Sequence, residues 1–172
     1  MNEAVQETVI EPRDVSREPL VKPKNSPREI THTITLVPPN HLPSLWFEVK
    51  DYLGGAVERS NGRWNLESLY EAIGNEYQHL WLAFDKDNNI DGVGTTEFIN
   101  YPCGMMLAVQ FLGGSKFNSW CWEMMDRFNS WAIDNGCDGI EVTGRSGFER
   151  WLEQDGYKRC FTVFEKRFDR NE

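Results

Sequence analysis

The sequence predicts an α+β fold in which a mixed, mostly antiparallel sheet is flanked by helices. Hydrophobic periodicity places elements in the order β-α-α-β-β-β-α-β-α-β between residues 30 and 168. Two of the central strands are joined by turn residues, which indicates a hairpin. An apolar strand followed by a long amphipathic helix and another strand indicates a βαβ unit. A chain of 172 residues without internal repeats favours one domain of this kind.

The first half of this domain is predicted to hold one strand, two helices and a hairpin. Residues 31–37 alternate as a short strand, and residues 42–56 carry an apolar stripe of helical period. Asn65 is placed to cap a second, shorter helix. Residues 79–85 and 90–100 flank the turn-forming Asp-Asn-Asn stretch and are expected to pair as a hairpin.

The second half contains the stretch around which the prediction is built. The apolar run 105–112 stops at Gly113-Gly114, and a helical stripe then begins. The stripe consists of Phe117, Trp120, Cys121, Met124, Met125, Phe128, Trp131 and Ala132. Ser115 or Gly114 is expected to cap the helix, and Gly136 to end it in the left-handed conformation. Free N–H groups at a helix start after glycines form a plausible pyrophosphate cradle, although the turn alone favours a tight connection that binds nothing.

The remaining elements are a strand, a short helix and a last strand. Residues 139–143 form the strand, and Ser146 with Glu149 has the spacing of a capping box at the helix start. Phe148, Trp151 and Leu152 are expected on its inward face. Residues 160–168 are predicted to close the sheet as a final strand.

Composition narrows the classes of function. The net charge is −9, which argues against a nucleic-acid partner or an anionic membrane surface, since phosphate binding needs basic groups. No apolar stretch is long enough to span a bilayer. The four cysteines lack C-x-x-C spacing and the three histidines are scattered, so no metal site is expected. Free thiols fit a reducing cytoplasm.

Residues 1–29 differ from the rest of the chain. They contain four prolines and mixed charges but no aromatic residue, so they cannot bury enough apolar surface to offset the entropy of ordering. We therefore expect a disordered or partner-docking N-terminal arm, followed by the domain at residues 30–172.

The motif Gln110-Phe-Leu-Gly113-Gly-Ser115 resembles the acyl-CoA signature of the GNAT superfamily of N-acyltransferases, with Ser115 where the family has Gly or Ala. The predicted element order is similar to the GNAT arrangement. The stretch GRSGFERWLEQDGY, together with FLGG, resembles GNAT-like acetyltransferases encoded by tailed bacteriophages. These resemblances imply a GNAT-like fold and acetyl-CoA as co-substrate, with no metal.

The resemblance also implies where the site residues lie. The cofactor pyrophosphate would sit on the turn after the fourth strand, with Gln110 opening the motif and the acetyl thioester near Val109 and Glu141. The cofactor-binding residues so implied are Gln110, Leu112, Gly113, Gly114, Ser115 and Lys116.

Catalysis needs a base for the amine and an acid for the leaving thiolate. The family's tyrosine and asparagine positions correspond to Leu152 and Arg145, so the usual acid is missing. Tyr157 is a candidate replacement, and packing in the last turn is its alternative role. Glu97 and Glu141 are the candidate bases, although Glu97 also fits an exposed position on an alternating strand.

Two classes of function remain open. One is a phage-encoded N-acetyltransferase that acts on an amine, either a small molecule or a host protein, in the host cytoplasm. The other is a catalytically degenerate GNAT-fold protein in the virion or its assembly, contacting virion proteins through the N-terminal arm. The missing tyrosine and the long N-terminal arm favour the second class, and the retained Gln110/Gly113 turn favours the first.

Overall fold

The structure, a computed structural model, describes residues 29–169. The predicted N-terminal arm lies, apart from its last residue, outside the described residues. Five strands form one sheet in the order β1-β2-β3-β4-β5. They are β1 (Thr33–Val37), β2 (His79–Phe84), β3 (Ile90–Tyr101), β4 (Gly104–Gly114) and β5 (Gly139–Val142). The first three pairings are antiparallel and β4 pairs with β5 in parallel, which confirms the predicted α+β fold.

Helices cover both faces of the sheet. They are α1 (Leu42–Glu58), α2 (Leu66–Gly74), α3 (Phe117–Asp134) and the short α4 (Glu149–Glu153). One apolar cluster lies between the sheet and α1 with α2, and a second lies between the sheet and α3 with α4. The predicted stripe of α3 is buried in the second cluster, where Trp120, Met124 and Phe128 are fully enclosed. No helix in the described part of the chain is long and apolar enough to cross a membrane.

Two helix ends follow their sequence signals. Asn65 caps α2 by accepting the Ser68 N–H at 2.8 Å, and the Ser68 hydroxyl accepts the Asn65 N–H at 3.1 Å. At the end of α3, Gly136 adopts φ 72°, the left-handed conformation that glycine takes without steric cost.

The predicted cap of α3 is wrong. The N-cap residue is Lys116, in the left-handed region at φ 50°, and no side chain caps it. Gly114 instead completes β4, and the Ser115 N–H donates to the Asp91 carbonyl of β3 at 2.9 Å. The hydrogen bond to β3 therefore extends past the diglycine, and the N-cap lies one residue after Ser115 and two after Gly114.

The capping box at Ser146 and Glu149 is also not formed. Residues Ser146–Phe148 make a single 3₁₀ turn, and Glu149 begins α4. The Glu149 carboxylate binds Arg159 at 2.5 Å instead of turning back to the N-cap. A charged partner from the following segment thus outcompetes the local capping interaction.

The predicted last strand at residues 160–168 is not present. Residues 158–169 follow α4 without regular secondary structure, and the sheet ends at β5. Their apolar side chains stay in solvent, with Phe164 93% exposed. Two charged side chains of this C-terminal segment bind the α1–α2 connection: Glu165 contacts Arg63, and Arg167 donates to the Asn61 carbonyl. These contacts attach the segment to the α1–α2 connection, and among the described residues no strand pairs with the outer edge of β5.

Candidate active site

A cleft of about 450 Å³ opens where β4 and β5 separate. The two strands pair from Met106 with Gly139 to Val109 with Val142. β5 then ends while β4 continues to Gly114. The walls of the cleft are the end of α1, the α1–α2 connection, β4, the β5–α4 connection, α4 and the C-terminal segment.

A β-bulge in β4 directs one side chain of the motif. Thr95 of β3 lies opposite Phe111, and Thr96 lies opposite Val109, so Gln110 is the extra residue between them. Bulges re-aim side chains beside functional sites. Gln110 lines the cleft, and its amide nitrogen donates to Glu97 Oε1 at 2.5 Å.

Glu97 is a half-buried carboxylate on the face of the sheet that α1 covers. Burial is the largest influence on its pKa and raises it above the ordinary glutamate value. The hydrogen bond from Gln110 opposes this rise, and the neighbouring charge of Glu141 adds to it. Glu97 is therefore a carboxylate of increased basicity, connected to the cleft through Gln110. It is not the exposed position that strand alternation alone would suggest.

Glu141 lies on the same face as Glu97. Both are paired with Ala108 of the strand between them, so the three side chains form a row across β3, β4 and β5. The Tyr101 hydroxyl donates to the Glu141 carboxylate at 3.0 Å. This hydrogen bond raises the pKa of Tyr101, because the neutral phenol is the donor. The sequence identified Tyr101 only as a turn residue.

The candidate acid Tyr157 is packed away from the cleft walls. Its hydroxyl is buried without a hydrogen-bond partner among the described residues, and burial raises its pKa strongly. Leu152, at the family's tyrosine position, packs in the same apolar cluster against α3. Tyr157 and Leu152 therefore both pack in the apolar core, and neither side chain lines the cleft.

The two glycines of the turn are required by the fold itself. A Cβ on Gly113 would lie 2.0 Å from the Tyr52 carbonyl oxygen of α1. A Cβ on Gly114 would lie 2.2 Å from the Asp91 carbonyl oxygen, and φ there is 142°. The absent side chains therefore let α1 and β3 approach β4 closely. This packing role accounts for both glycines without a ligand, and their part in cofactor binding stays a prediction.

The rest of the turn stays accessible. Ser115 and Lys116 are exposed at the start of α3, and Lys116 Nζ lies 3.4 Å from Asp91 Oδ1. Leu112 lines the cleft, which extends along β4 toward this turn. The first N–H groups of a helix have no intrahelical acceptor, so this end of α3 suits a phosphate group.

Three arginines line the cleft, and the sequence pointed to only one of them. Arg59 and Arg63 lie in the α1–α2 connection, and Arg145 follows β5. Arg145 stacks over the Phe148 ring at 5.7 Å rather than pairing with Glu149. The polar run from Arg59 to Arg63 was the available signal for the other two. Within residues 29–169, no group of three His, Cys, Asp or Glu side chains is gathered as a metal site would require.

Comparisons with known proteins place this geometry in a recognised fold. No protein-family model and no curated protein matches the sequence. Among solved structures, the chain is similar to an aminoglycoside acetyltransferase from an uncultured soil metagenomic sample, in complex with sisomicin. The TM-score is 0.60 at 13% identity, over 81% of this chain and 97% of that one.

Two further structures show the same likeness. Glucosamine-6-phosphate N-acetyltransferase from Arabidopsis thaliana aligns with a TM-score of 0.57 at 13% identity, over 81% of this chain and 99% of that one. A predicted acetyltransferase from Clostridium acetobutylicum, solved with acetyl-CoA, aligns with a TM-score of 0.59 at 14% identity. The alignment covers 79% of this chain and 96% of that one. At this identity the comparisons establish the GNAT acetyltransferase fold.

Proposed function

We propose that this protein is an N-acetyltransferase that binds acetyl-CoA in the cleft between β4 and β5 and transfers the acetyl group to an amine. The observation that carries the proposal is the separation of the two strands after Val109 and Val142, beside the accessible start of α3. Neighbours of the same fold include acetyltransferases, and one of these was solved with acetyl-CoA.

The residues of the site fit such a ligand. Strand edges and aromatic side chains, including Trp64 and Phe148, form walls that suit an extended, partly apolar chain. The exposed Ser115 and Lys116 would hold the pyrophosphate with the first N–H groups of α3. When bound, acetyl-CoA supplies a thioester whose carbonyl carbon an amine attacks.

The protein supplies a base for the amine but no acid for the leaving thiolate. Glu97 does not itself line the cleft, so it accepts the proton of the amine through a water molecule, and Gln110 holds its Oε1 in place. No cleft residue replaces the family tyrosine as the acid, so water must protonate the leaving thiolate. General acid catalysis contributes about 10²–10⁴ in rate, and we expect turnover to be slow by roughly this amount.

Titration calorimetry with acetyl-CoA tests the proposal. Ser115→Glu would place a negative charge at the phosphate position, where the side chain is exposed and disturbs no packing. We expect binding by the parent and its loss in this variant. Ser130→Glu, at an exposed position farther along α3, is the matched control and should bind as the parent does. No binding by the parent at millimolar ligand would reject the proposal.

The narrower hypotheses of phage origin and of a virion or assembly role remain predictions from the sequence. The apolar packing of Leu152 and Tyr157 is the observation that favours a degenerate site. Acetyl-CoA binding without measurable transfer to any amine would support this second candidate function.

A further inference from the structure

The C-terminal segment places a carboxylate at the mouth of the cleft. Glu165 lines the cleft and binds Arg63 Nη2 at 2.5 Å. Asn61 Nδ2 donates to the same carboxylate at 3.1 Å, and Arg167 Nε donates at 2.6 Å. Asn61 and Arg63 belong to the α1–α2 connection, so an anionic group from elsewhere in the chain is bound at this wall of the cleft.

The charge of the cleft is opposite to that of the whole protein. The net charge of the chain is −9, yet the cleft walls contain three arginines, Arg59, Arg63 and Arg145, and a single carboxylate, Glu165. A guanidinium matches the geometry of a carboxylate or phosphate group. Without Glu165 this wall would present uncompensated positive charge to whatever enters the cleft.

The contact that occupies the site is easily displaced. The Arg63 and Glu165 side chains are 47% and 27% exposed, and ion pairs that water reaches stabilise a protein little. The segment that carries Glu165 has no regular secondary structure, and its residues Phe161 and Phe164 are exposed. A ligand with its own anionic group could therefore replace Glu165 at small cost.

We propose that Asn61 and Arg63 bind an anionic group, carboxylate or phosphate, of the acyl acceptor, and that Glu165 occupies this position while the acceptor is absent. The assignment to the acceptor rests on the proposed function, in which acetyl-CoA phosphates lie at the start of α3. The C-terminal segment then competes with the acceptor for the cleft.

Paired amines that differ in charge test the acceptor class. Phenethylamine is compared with phenylalanine, which adds a carboxylate, and glucosamine with glucosamine 6-phosphate, which adds a phosphate. Release of the CoA thiol measures kcat/KM for each. We expect a preference of about tenfold or more for the anionic member of at least one pair. The pair that shows the preference identifies the group as carboxylate or phosphate.

Three variants connect that preference to these residues. Arg63→Gln should abolish it, whereas Glu165→Ala should lower KM for the anionic acceptor because the internal competitor is removed. Glu149→Ala is the matched control, because it breaks a glutamate–arginine contact of the C-terminal segment, to Arg159, that lies outside the cleft walls. Its kinetics should equal those of the parent. Equal use of neutral and anionic amines would overturn the proposal.

A binding measurement tests the anion site independently of catalysis. Calorimetry with inorganic phosphate and with acetate is carried out on the parent, Arg63→Gln and Glu165→Ala, after circular dichroism has shown that each is folded. We expect tighter binding of one anion in Glu165→Ala and none in Arg63→Gln, with unchanged acetyl-CoA affinity. If Arg63→Gln weakens acetyl-CoA as much as the anion, Arg63 belongs to the cofactor and the proposal is wrong. If acetyl-CoA does not bind at all while the anion does, the proposed function fails and the anion site stands.

Discussion

Glu97 shows how one side chain can acquire basicity from its surroundings. Desolvation on the covered face of the sheet raises its pKa, and the neighbouring Glu141 acts in the same direction. The amide of Gln110 limits the rise by donating to the ionised form. The bulge directs Gln110 toward Glu97, so it also influences the pKa of Glu97.

The pH dependence of transfer follows from this environment. The base must be ionised, so kcat/KM should fall as the pH is lowered through the pKa of Glu97. Since that pKa is raised, the fall should begin above the pH expected for an ordinary glutamate, whose pKa is about 4.3. Gln110→Leu removes the hydrogen bond to the ionised form and should move this acidic limb to still higher pH.

Glu97→Gln should remove the acidic limb and lower the rate by about 10²–10⁴. Glu67→Gln, at an exposed position in the first turn of α2, is the control and should leave the profile unchanged. An acidic limb that persists in Glu97→Gln would assign the base to another group, with Glu141 next to be tested.

Among the elements, β4 carries the most constraints, because it pairs with two strands, packs under α1 and leads into α3. The contact with α1 sets the identity of Gly113, whose Cβ would collide with the Tyr52 carbonyl. Backbone atoms of a helix cannot shift as a side chain can. The strand and the helix must therefore move apart if position 113 gains a side chain.

Gly113→Ala should lower the free energy of unfolding by about 1–3 kcal/mol through this overpacking. For a domain of this size, each kcal/mol corresponds to roughly 2–4 °C in Tm. Gly54→Ala is the matched control, since Gly54 lies inside α1 and a Cβ there meets nothing within 4 Å. It should raise stability by about 0.5–1 kcal/mol, as alanine is the better helix former. Thermal unfolding followed by circular dichroism measures both, and equal shifts would contradict the packing argument.

Some secondary-structure elements can be predicted from their local sequence, and others cannot. The α3 stripe and the Asn65 cap are local signals, and both were predicted correctly. Residues 160–168 contain aromatic and β-branched residues typical of a strand, but a strand exists only where another pairs with it. Pairing depends on distant contacts such as that of Glu165 with Arg63. The bulge at Gln110 and the arginine wall depend on strand register and on the meeting of separate segments. No local pattern contains that information.

At the scale of the whole molecule, the first described residues secure β1 to the rest of the domain. The backbone N–H groups of Thr31 and His32 donate to the Glu123 carboxylate of α3, each at 2.9 Å. The His32 ring lies 3.0 Å from Asp91, and both side chains are buried. The boundary predicted at residue 30 falls just before these contacts.

Two truncations test this boundary. A chain that begins at residue 30 retains the contacts of Thr31 and His32, so its Tm should match that of the full protein. A chain that begins at Thr33 loses them and leaves Asp91 buried with only the more distant Lys116, so its Tm should fall by several degrees. A large fall already in the first truncation would show that the arm packs on the domain.

The aromatic walls of the cleft also give the protein an optical property. Of its seven tryptophans, Trp64 and Trp151 line the cleft, and Trp151 lies with its ring 4.9 Å from that of Trp122. An indole changes its emission when the polarity beside it changes. Filling the cleft should therefore alter the intrinsic fluorescence of the unlabelled protein, and its two cleft indoles can report occupancy in real time, before any product is formed.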